Sequence, residues 1–160
     1  MYKLIAYMLL LAFVMQLHAL QADTEIALQA LFQGKHAVNR AAHAAAQQID
    51  LDKLSQGIVS IAPDDAETAA LLYLQRNLRL DASNEPLTGT FWRTRVEVLA
   101  FDIVNENAGF PYTYTNAAYN YTVTLKKPGV VLIARLVYPR TYTVLGPITW
   151  EIKGAAELVY

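Results

Sequence analysis

The longest hydrophobic pattern in the chain lies in its first 50 residues. An uncharged apolar run extends from Leu4 to Met15, preceded by Lys3, and no further charged residue occurs before Asp23. The uncharged stretch from Leu4 to Ala22 contains about 19 residues, which is close to the length that crosses a bilayer as a helix. The start of the chain therefore predicts either a membrane-spanning segment or a secretory signal.

The sequence of this stretch is compatible both with its retention as a membrane segment and with its removal as a signal peptide. Its strictly apolar part also has the length of the hydrophobic region of a signal peptide, and Ala22, with Leu20 two positions before it, is a candidate cleavage position. One positive charge before the run and acidic residues after it predict an N-terminus in the cytoplasm and the remainder outside. We expect a cell-envelope or extracellular location in either case.

Helix-compatible sequence continues from Thr24 to Asp50 without a strong helix breaker. Apolar side chains recur at intervals of seven in two series, interrupted by Lys35, and form one narrow stripe. Alanine-rich sequence favours the helix and permits close approach of a neighbouring helix. We predict that residues 1–50 form one helical unit, an anchor, filament core or signal segment, and that the stripe is its packing and assembly surface: Leu28, Leu31, Val38, Ala42, Ala45 and Ile49.

Residues 51–160 predict a globular head of the α+β class. Gly57–Ile61 reads as a short strand, and Pro63, followed by acidic residues, begins a second helix that ends near Leu80. Turn-forming residues then occupy Asp81–Thr90. The predicted fold is thus a long N-terminal helix followed by a short helix and an antiparallel β-sheet.

Four segments in the head have strand patterns. Thr94–Val104 loses its alternation after Ala100, which predicts a bulge or burial on both faces. Val130–Tyr138 is apolar on both faces except at Arg135, which predicts a central strand covered on both sides. Short connections predict antiparallel pairing. The predicted strands are Thr94–Val104, Tyr119–Leu125, Val130–Tyr138 and Ile148–Lys153, and Ala155–Tyr160 is expected to close the sheet.

Composition and spacing argue against catalysis and against nucleic-acid binding. The net charge of -1 leaves no basic surface, so we expect no nucleic-acid partner. No cysteine is present, and His36 and His43 are two helical turns apart, too far for one metal ion. His18 lies beside the apolar run, and no serine occupies a nucleophile elbow. We predict no catalytic residue, no cofactor and no metal site.

A tyrosine-rich segment is the most distinctive local sequence in the head. Phe110–Asn116 reads FPYTYTN, and two more tyrosines follow within a few residues. Tyr112 and Tyr114 are candidate recognition residues, since tyrosine gives a large contact area at low entropic cost. The same composition is also typical of a strand, which we favour. Asn120-Tyr121-Thr122 has the form of a glycosylation sequon, but the strand pattern argues against its use.

The chain resembles two groups of exported proteins. An apolar helix that runs directly into an alanine-rich amphipathic helix (Val38–Ala46) resembles the TadE/TadG-like pseudopilins of tight-adherence pilus systems. The whole chain is similar to small exported proteins of Gram-positive spore-formers, through FPYTYTN, Pro128-Gly129 and Ile152–Tyr160. Ile5 stands where type IV pilins have glutamate and no basic leader precedes the run, so the resemblance does not imply prepilin-peptidase processing.

We therefore expect a noncatalytic, pilin-like subunit of the cell surface that anchors or assembles through its N-terminal helix. Its expected partners are the membrane, other copies of the chain and pilus-assembly components. A secreted binding module, released near Ala22 and recognising a ligand through Tyr112 and Tyr114, is the alternative. A cell-wall hydrolase is the least favoured class, because metal-ligand spacings are missing.

Overall fold

One helix accounts for more than a quarter of the molecule. The computed structural model describes residues 2–141 and 146–159, and its first element, α1, runs from Tyr2 to Ala46. The helix thus stops four residues before the predicted end at Asp50. Asp50 instead caps a short helix that the sequence pattern did not predict, α2 (Leu51–Ser55), by accepting a 3.0 Å hydrogen bond from the backbone N–H of Lys53.

The predicted second helix is confirmed as α3 (Pro63–Leu78). Pro63 occupies its first turn, and Arg79 ends it in a left-handed conformation with φ of 56°. The backbone N–H of Ala62 donates to Gln48 at 2.8 Å, and Arg40 on α1 bonds Asn77 near the far end of α3. The two helices are therefore antiparallel. The predicted strand Gly57–Ile61 is wrong, since only Ile61 pairs, as an isolated bridge with Ile49.

A three-stranded antiparallel sheet packs against these helices, which confirms the α+β class. Its order is β1-β4-β5, and a register shift between Val98 and Ala100 marks a bulge in β1. The predicted central strand is confirmed, because β4 lies between the other two and all but two of its side chains are buried. The strands are β1 (Glu97–Val104), β4 (Gly129–Tyr138) and β5 (Ile148–Glu157). Tyr160, the last residue of the segment expected to close the sheet, lies outside the described residues.

The segment between β1 and β4 forms a separate hairpin of β2 (Tyr112–Asn116) and β3 (Tyr121–Leu125). The Tyr114 hydroxyl donates to the carboxylate of Asp102 on β1, which ties the hairpin to the sheet face opposite the helices. Leu125 is buried at the base of the hairpin. Helices, sheet and hairpin thus make three layers, and both faces of β4 are covered.

The second half of α1 lies along the sheet, parallel to β5. Near its beginning, Asp23 contacts Tyr138, which pairs with Ile148 at the start of β5. At its other end, Gln47 bonds the backbone of Glu157, the last residue of β5. The described head therefore has two ends along α1: one at Asp23, where the exposed half of the helix joins it, and a far end at α2.

Two glycines allow the close approach of α1 to the sheet. A Cβ on Gly34 would lie 2.7 Å from Cδ1 of Ile152 and 3.0 Å from Cδ2 of Leu136. A Cβ on Gly154 would lie 3.0 Å from Cγ1 of Val38. Since these distances are shorter than ordinary van der Waals contacts, a larger residue at either position would require the neighbouring side chains to shift.

Candidate anchoring and assembly surface

The first half of α1, residues 2–22, projects from the head without packing on it. Its large apolar side chains are all exposed, from Val14 at 40% to Tyr2 at 78%. The helix is long and apolar enough to cross a membrane, and a signal sequence meets the same criterion. This surface is much larger than the apolar patches that soluble monomers usually expose.

Asp23 marks the point at which α1 enters the head. Its side chain is 1% exposed, although the residues on both sides of it are exposed. One carboxylate oxygen accepts the backbone N–H of Thr141 at 2.7 Å, and the other accepts Nη1 of Arg140 at 3.2 Å. The Tyr138 hydroxyl lies 3.4 Å from the same carboxylate. The side chain thus joins α1 to the segment that follows β4.

The Asp23 carboxylate is held in its ionised form. The hydrogen bond from the Thr141 backbone lowers the pKa of Asp23 below its usual value, assisted by Arg140, while burial alone would raise it. Arg140 adopts a left-handed backbone conformation with φ of 50°, which is unfavourable for a residue with a Cβ. The ion pair and the Thr141 bond offset this cost, so the geometry at Asp23 is specified by several groups at once.

The six predicted packing residues fall into two groups. Val38, Ala42 and Ala45 are fully buried against the sheet and α3, while Leu31 and Ile49 are half-buried beside the same core. Only Leu28 is exposed, at 49%. Five of the six therefore pack within the chain, and Leu28 is the member of this set whose side chain stays exposed.

The pattern at intervals of seven missed the face of α1 that stays exposed. Phe32, one helical turn beyond Leu28, is 57% exposed. Leu17, Leu20 and Leu28 line one shallow groove of about 410 Å³ on the same side of the helix. The sequence signal for this exposed face was the spacing of four residues between Leu28 and Phe32, which places both side chains on one side of a helix. These side chains form what we call the outer stripe: Leu17, Leu20, Leu28 and Phe32.

The two candidate recognition tyrosines point toward the sheet. Tyr114 is half-buried and bonded to Asp102, and burial together with that carboxylate raises the pKa of its hydroxyl. Tyr112 follows the same alternation and is 36% exposed. The outward face of the hairpin instead carries four threonines, with Thr113 and Thr124 in hydrogen-bond contact at 3.2 Å. A recognition role would thus rest on Tyr112 alone or on the threonine face.

Asn120 lies in the turn between β2 and β3 and not in a strand, contrary to the expectation from the alternating pattern. Its side chain is exposed, and its backbone is left-handed with φ of 46°. The prediction that Asn120 lies within a strand, which argued against use of the sequon, is therefore wrong.

The described residues hold no group of three or more histidine, aspartate or glutamate side chains placed to bind a metal ion. His18, His36 and His43 all lie on exposed faces of α1. A depression of about 420 Å³ lies between α3 and β1, and its lining combines apolar side chains with the charged residues Glu67, Arg95 and Glu97. Comparison of the chain with protein-family models, with curated proteins and with solved structures gives no match.

Proposed function

We propose that the chain is a noncatalytic, pilin-like structural subunit of the cell envelope that anchors and assembles through α1. The observation that carries this proposal is the division of one continuous helix at Asp23. Residues before it are apolar and unpacked, and residues after it belong to the core of the head. Burying the first part in lipid or among other helices removes a large apolar surface from water.

The outer stripe supports assembly in addition to anchoring. A membrane that covers the span from Leu4 to Ala22 ends before Leu28 and Phe32, which lie about 9 and 15 Å further along the helix. Lipid therefore leaves both side chains in water. The helix of another copy, whose exposed half is apolar over a similar length, is a partner that covers the stripe continuously.

The structure favours this proposal over a secreted binding module. Removal of residues 1–22 would leave a head in which Tyr114 is bonded to Asp102 and in which Leu28 and Phe32 stay exposed without a function. The exposed side chains of Leu28 and Phe32 have a role when the helix stays attached.

The position of the mature N-terminus tests the proposal. Cells that produce the full chain are separated into membrane, filament and soluble fractions, and the intact mass of the chain is measured in each. We expect residues 4–22 to be present and the protein to sediment with membranes or filaments until detergent is added. A mature chain that begins at Asp23 and is a soluble monomer contradicts the proposal.

A matched variant separates anchoring from nonspecific sedimentation. Leu10→Glu places a charge near the middle of the exposed helix, where a buried carboxylate costs several kcal/mol. Glu replacing Gln16, which is already polar and near the end of the run, is the control. We expect the first variant to shift to the soluble fraction and the second to stay with the membranes.

A further inference from the structure

A groove separates α3 from β1 in a part of the head that the proposed function does not use. Its volume of about 420 Å³ lies in the range of sites that hold peptides and small ligands. Leu74 and Leu132 are buried beneath it, and half-buried apolar side chains flank them: Leu71, Val98 and Phe101. We call it the α3–β1 groove; its charged lining residues are Glu67, Arg95 and Glu97.

The groove reaches the open edge of the sheet. Three consecutive residues of β1, Glu97–Leu99, line it, and since successive side chains alternate between the faces of a strand, the groove follows the edge of β1. Within residues 2–141 and 146–159, the backbone of β1 pairs with β4 alone. Leu99, in the bulge, has no partner in β4. The backbone groups on the other side of β1 are therefore available to an added strand.

The bulge and α3 restrict what can pair with this edge. A bulge interrupts regular pairing with the edge of a second sheet, and edge strands are commonly protected in this way. Because α3 forms the opposite wall of the groove, a second sheet that carries helices of its own would also collide with it. A single extended peptide meets both conditions, and it is the ligand that recognition by strand addition takes.

The two ends of the groove differ in charge. α3 is antiparallel to α1, α1 is parallel to β5, and β5 and β1 are both antiparallel to β4, so α3 and β1 are antiparallel. Arg95 precedes the start of β1, whereas Glu67, near the start of α3, lies toward the other end of the strand. Neither forms an ion pair within the described ranges, while Glu97 is bound to Arg135 at 3.0 Å. The groove therefore has a basic end at Arg95 and an acidic end at Glu67.

Asn84 closes the basic end. Its backbone carbonyl accepts the N–H of Val96 at 3.0 Å, and its side-chain oxygen accepts Nε2 of Gln75 on α3 at 3.0 Å. The loop after α3 thus bridges the helix and β1 beside Arg95, so an extended peptide cannot continue past this point and must end there. A terminal carboxylate forms paired hydrogen bonds with a guanidinium, whereas a terminal ammonium is repelled by it.

We propose that the α3–β1 groove binds the C-terminal segment of a partner protein as an extended strand antiparallel to β1. The antiparallel direction places the terminal carboxylate at the start of β1, on Arg95. Alternate apolar side chains of the segment cover Leu74 and Leu132, and its backbone pairs with the free edge. Glu67 favours a basic residue earlier in the segment. The groove does not include α1, so this binding is independent of anchoring and assembly.

Peptides with and without a free carboxylate test the proposal. The probe is an array of hexapeptides attached through their N-termini, with every combination of apolar residues at the last and third-last positions. Each sequence is present both as the free acid and as the amide. The array is exposed to fluorescently labelled full chain in detergent. We expect a subset of the acids to bind, and their amides to bind about tenfold to a hundredfold more weakly.

Arg95→Gln connects that difference to the groove. We expect the variant to bind acids and amides equally, at the level at which the wild-type chain binds the amides. Arg76→Gln, which removes an exposed cation of α3 outside the groove, is the control and should keep the preference for acids. Equal urea midpoints of the three chains exclude unfolding as the cause. The proposal is overturned if no acid binds better than its amide, or if both variants keep the preference.

N-methylation of the bound hexapeptide tests the strand pairing without changing the protein. A methyl group removes a backbone N–H donor, and in a strand alternate N–H groups point to the same neighbour. One alternating set of N-methyl groups should therefore abolish binding and the other set should leave it nearly unchanged. Equal binding of the two methylated peptides contradicts strand addition. Sedimentation of the Arg95 variant with membranes should match that of the wild-type chain, because anchoring does not involve the groove.

Discussion

At the scale of single residues, Asp23 is the group on which the most interactions converge. It receives hydrogen bonds from a backbone N–H and a guanidinium, and it is buried between residues that are exposed. Replacing it leaves Arg140 without its partner in an unfavourable backbone conformation. Removing one partner from a buried, charge-assisted group of hydrogen bonds costs more free energy than the intact group contributes. The polar groups that remain lose their partner and are still shielded from water.

We expect Asp23→Ala to destabilise the head by about 2–3 kcal/mol. The measurement is urea unfolding in detergent, followed by near-UV circular dichroism of the tryptophans. Glu25→Ala, two residues along the helix and exposed, is the control and should change stability by less than about 0.5 kcal/mol. Equal effects of the two substitutions would show that the contacts of Asp23 do not stabilise the head.

The same residue predicts a dependence on pH. The pKa of Asp23 is lower in the folded head than in the unfolded chain, so its contribution is complete above the unfolded value of about 3.9 and is lost as the pH falls through the folded value. The melting temperature of the wild-type chain should therefore approach that of the Asp23→Ala variant in acid. Glu106 titrates in both chains and cancels in the comparison.

At the scale of elements, the approach of α1 to β4 and β5 determines how the head is packed. Gly34 and the alanines of α1 face the sheet, and Gly154 on β5 faces the helix. Because these residues are small, the backbones of the two layers lie close together. Such a contact excludes voids but has no room for a larger side chain. The identity of these small residues therefore matters as much as that of the large ones.

We expect Gly34→Leu to destabilise the head by at least about 1–3 kcal/mol, because the new side chain overlaps Ile152 and Leu136. Urea unfolding of the full chain in detergent measures the change. Leu in place of Gln29, an exposed residue of the same helix, shows the effect of an added leucine alone. A Gly34 variant as stable as this control would mean that α1 and the sheet are not closely packed.

Local pattern was sufficient to predict most elements of this fold. Proline and acids located α3, loss of alternation located the bulge in β1, and a two-sided apolar run located β4 as the central strand. Contacts distant in sequence were not predictable from it. The link from Asp23 to Arg140 and the reason for Gly34 depend on which strand α1 lies against, and α2 is too short to show a periodicity.

At the scale of the whole molecule, α1 serves two environments with two different faces. The face buried in the head is made of small residues, whereas the outer stripe is made of large ones and continues past Ala22, where the uncharged apolar stretch ends. The sequence pattern placed Leu28 in one series with buried residues, because spacing along the helix does not show which part of it the sheet covers. Only the position of the sheet separates them.

We expect Leu28→Glu to weaken self-association of the full chain about tenfold to a hundredfold, the loss that follows from exposing one leucine-sized contact. Sedimentation in detergent micelles measures this, and the urea midpoint of the head should stay unchanged because Leu28 does not belong to the core. Gln29→Glu, which adds the same charge outside the outer stripe, is the control. Unchanged association in the Leu28 variant argues against the stripe as a contact.

The direction of α1 along β5 has a mechanical consequence. A subunit held by its exposed helix and pulled by its head is loaded along the helix axis, and that axis runs parallel to the strands it contacts. The load therefore shears the contacts between α1 and the sheet, including those of Asp23. Under shear, all of these contacts must break at the same time. Peeling would break them one at a time at a lower force, so this arrangement suits a molecule that bears tension.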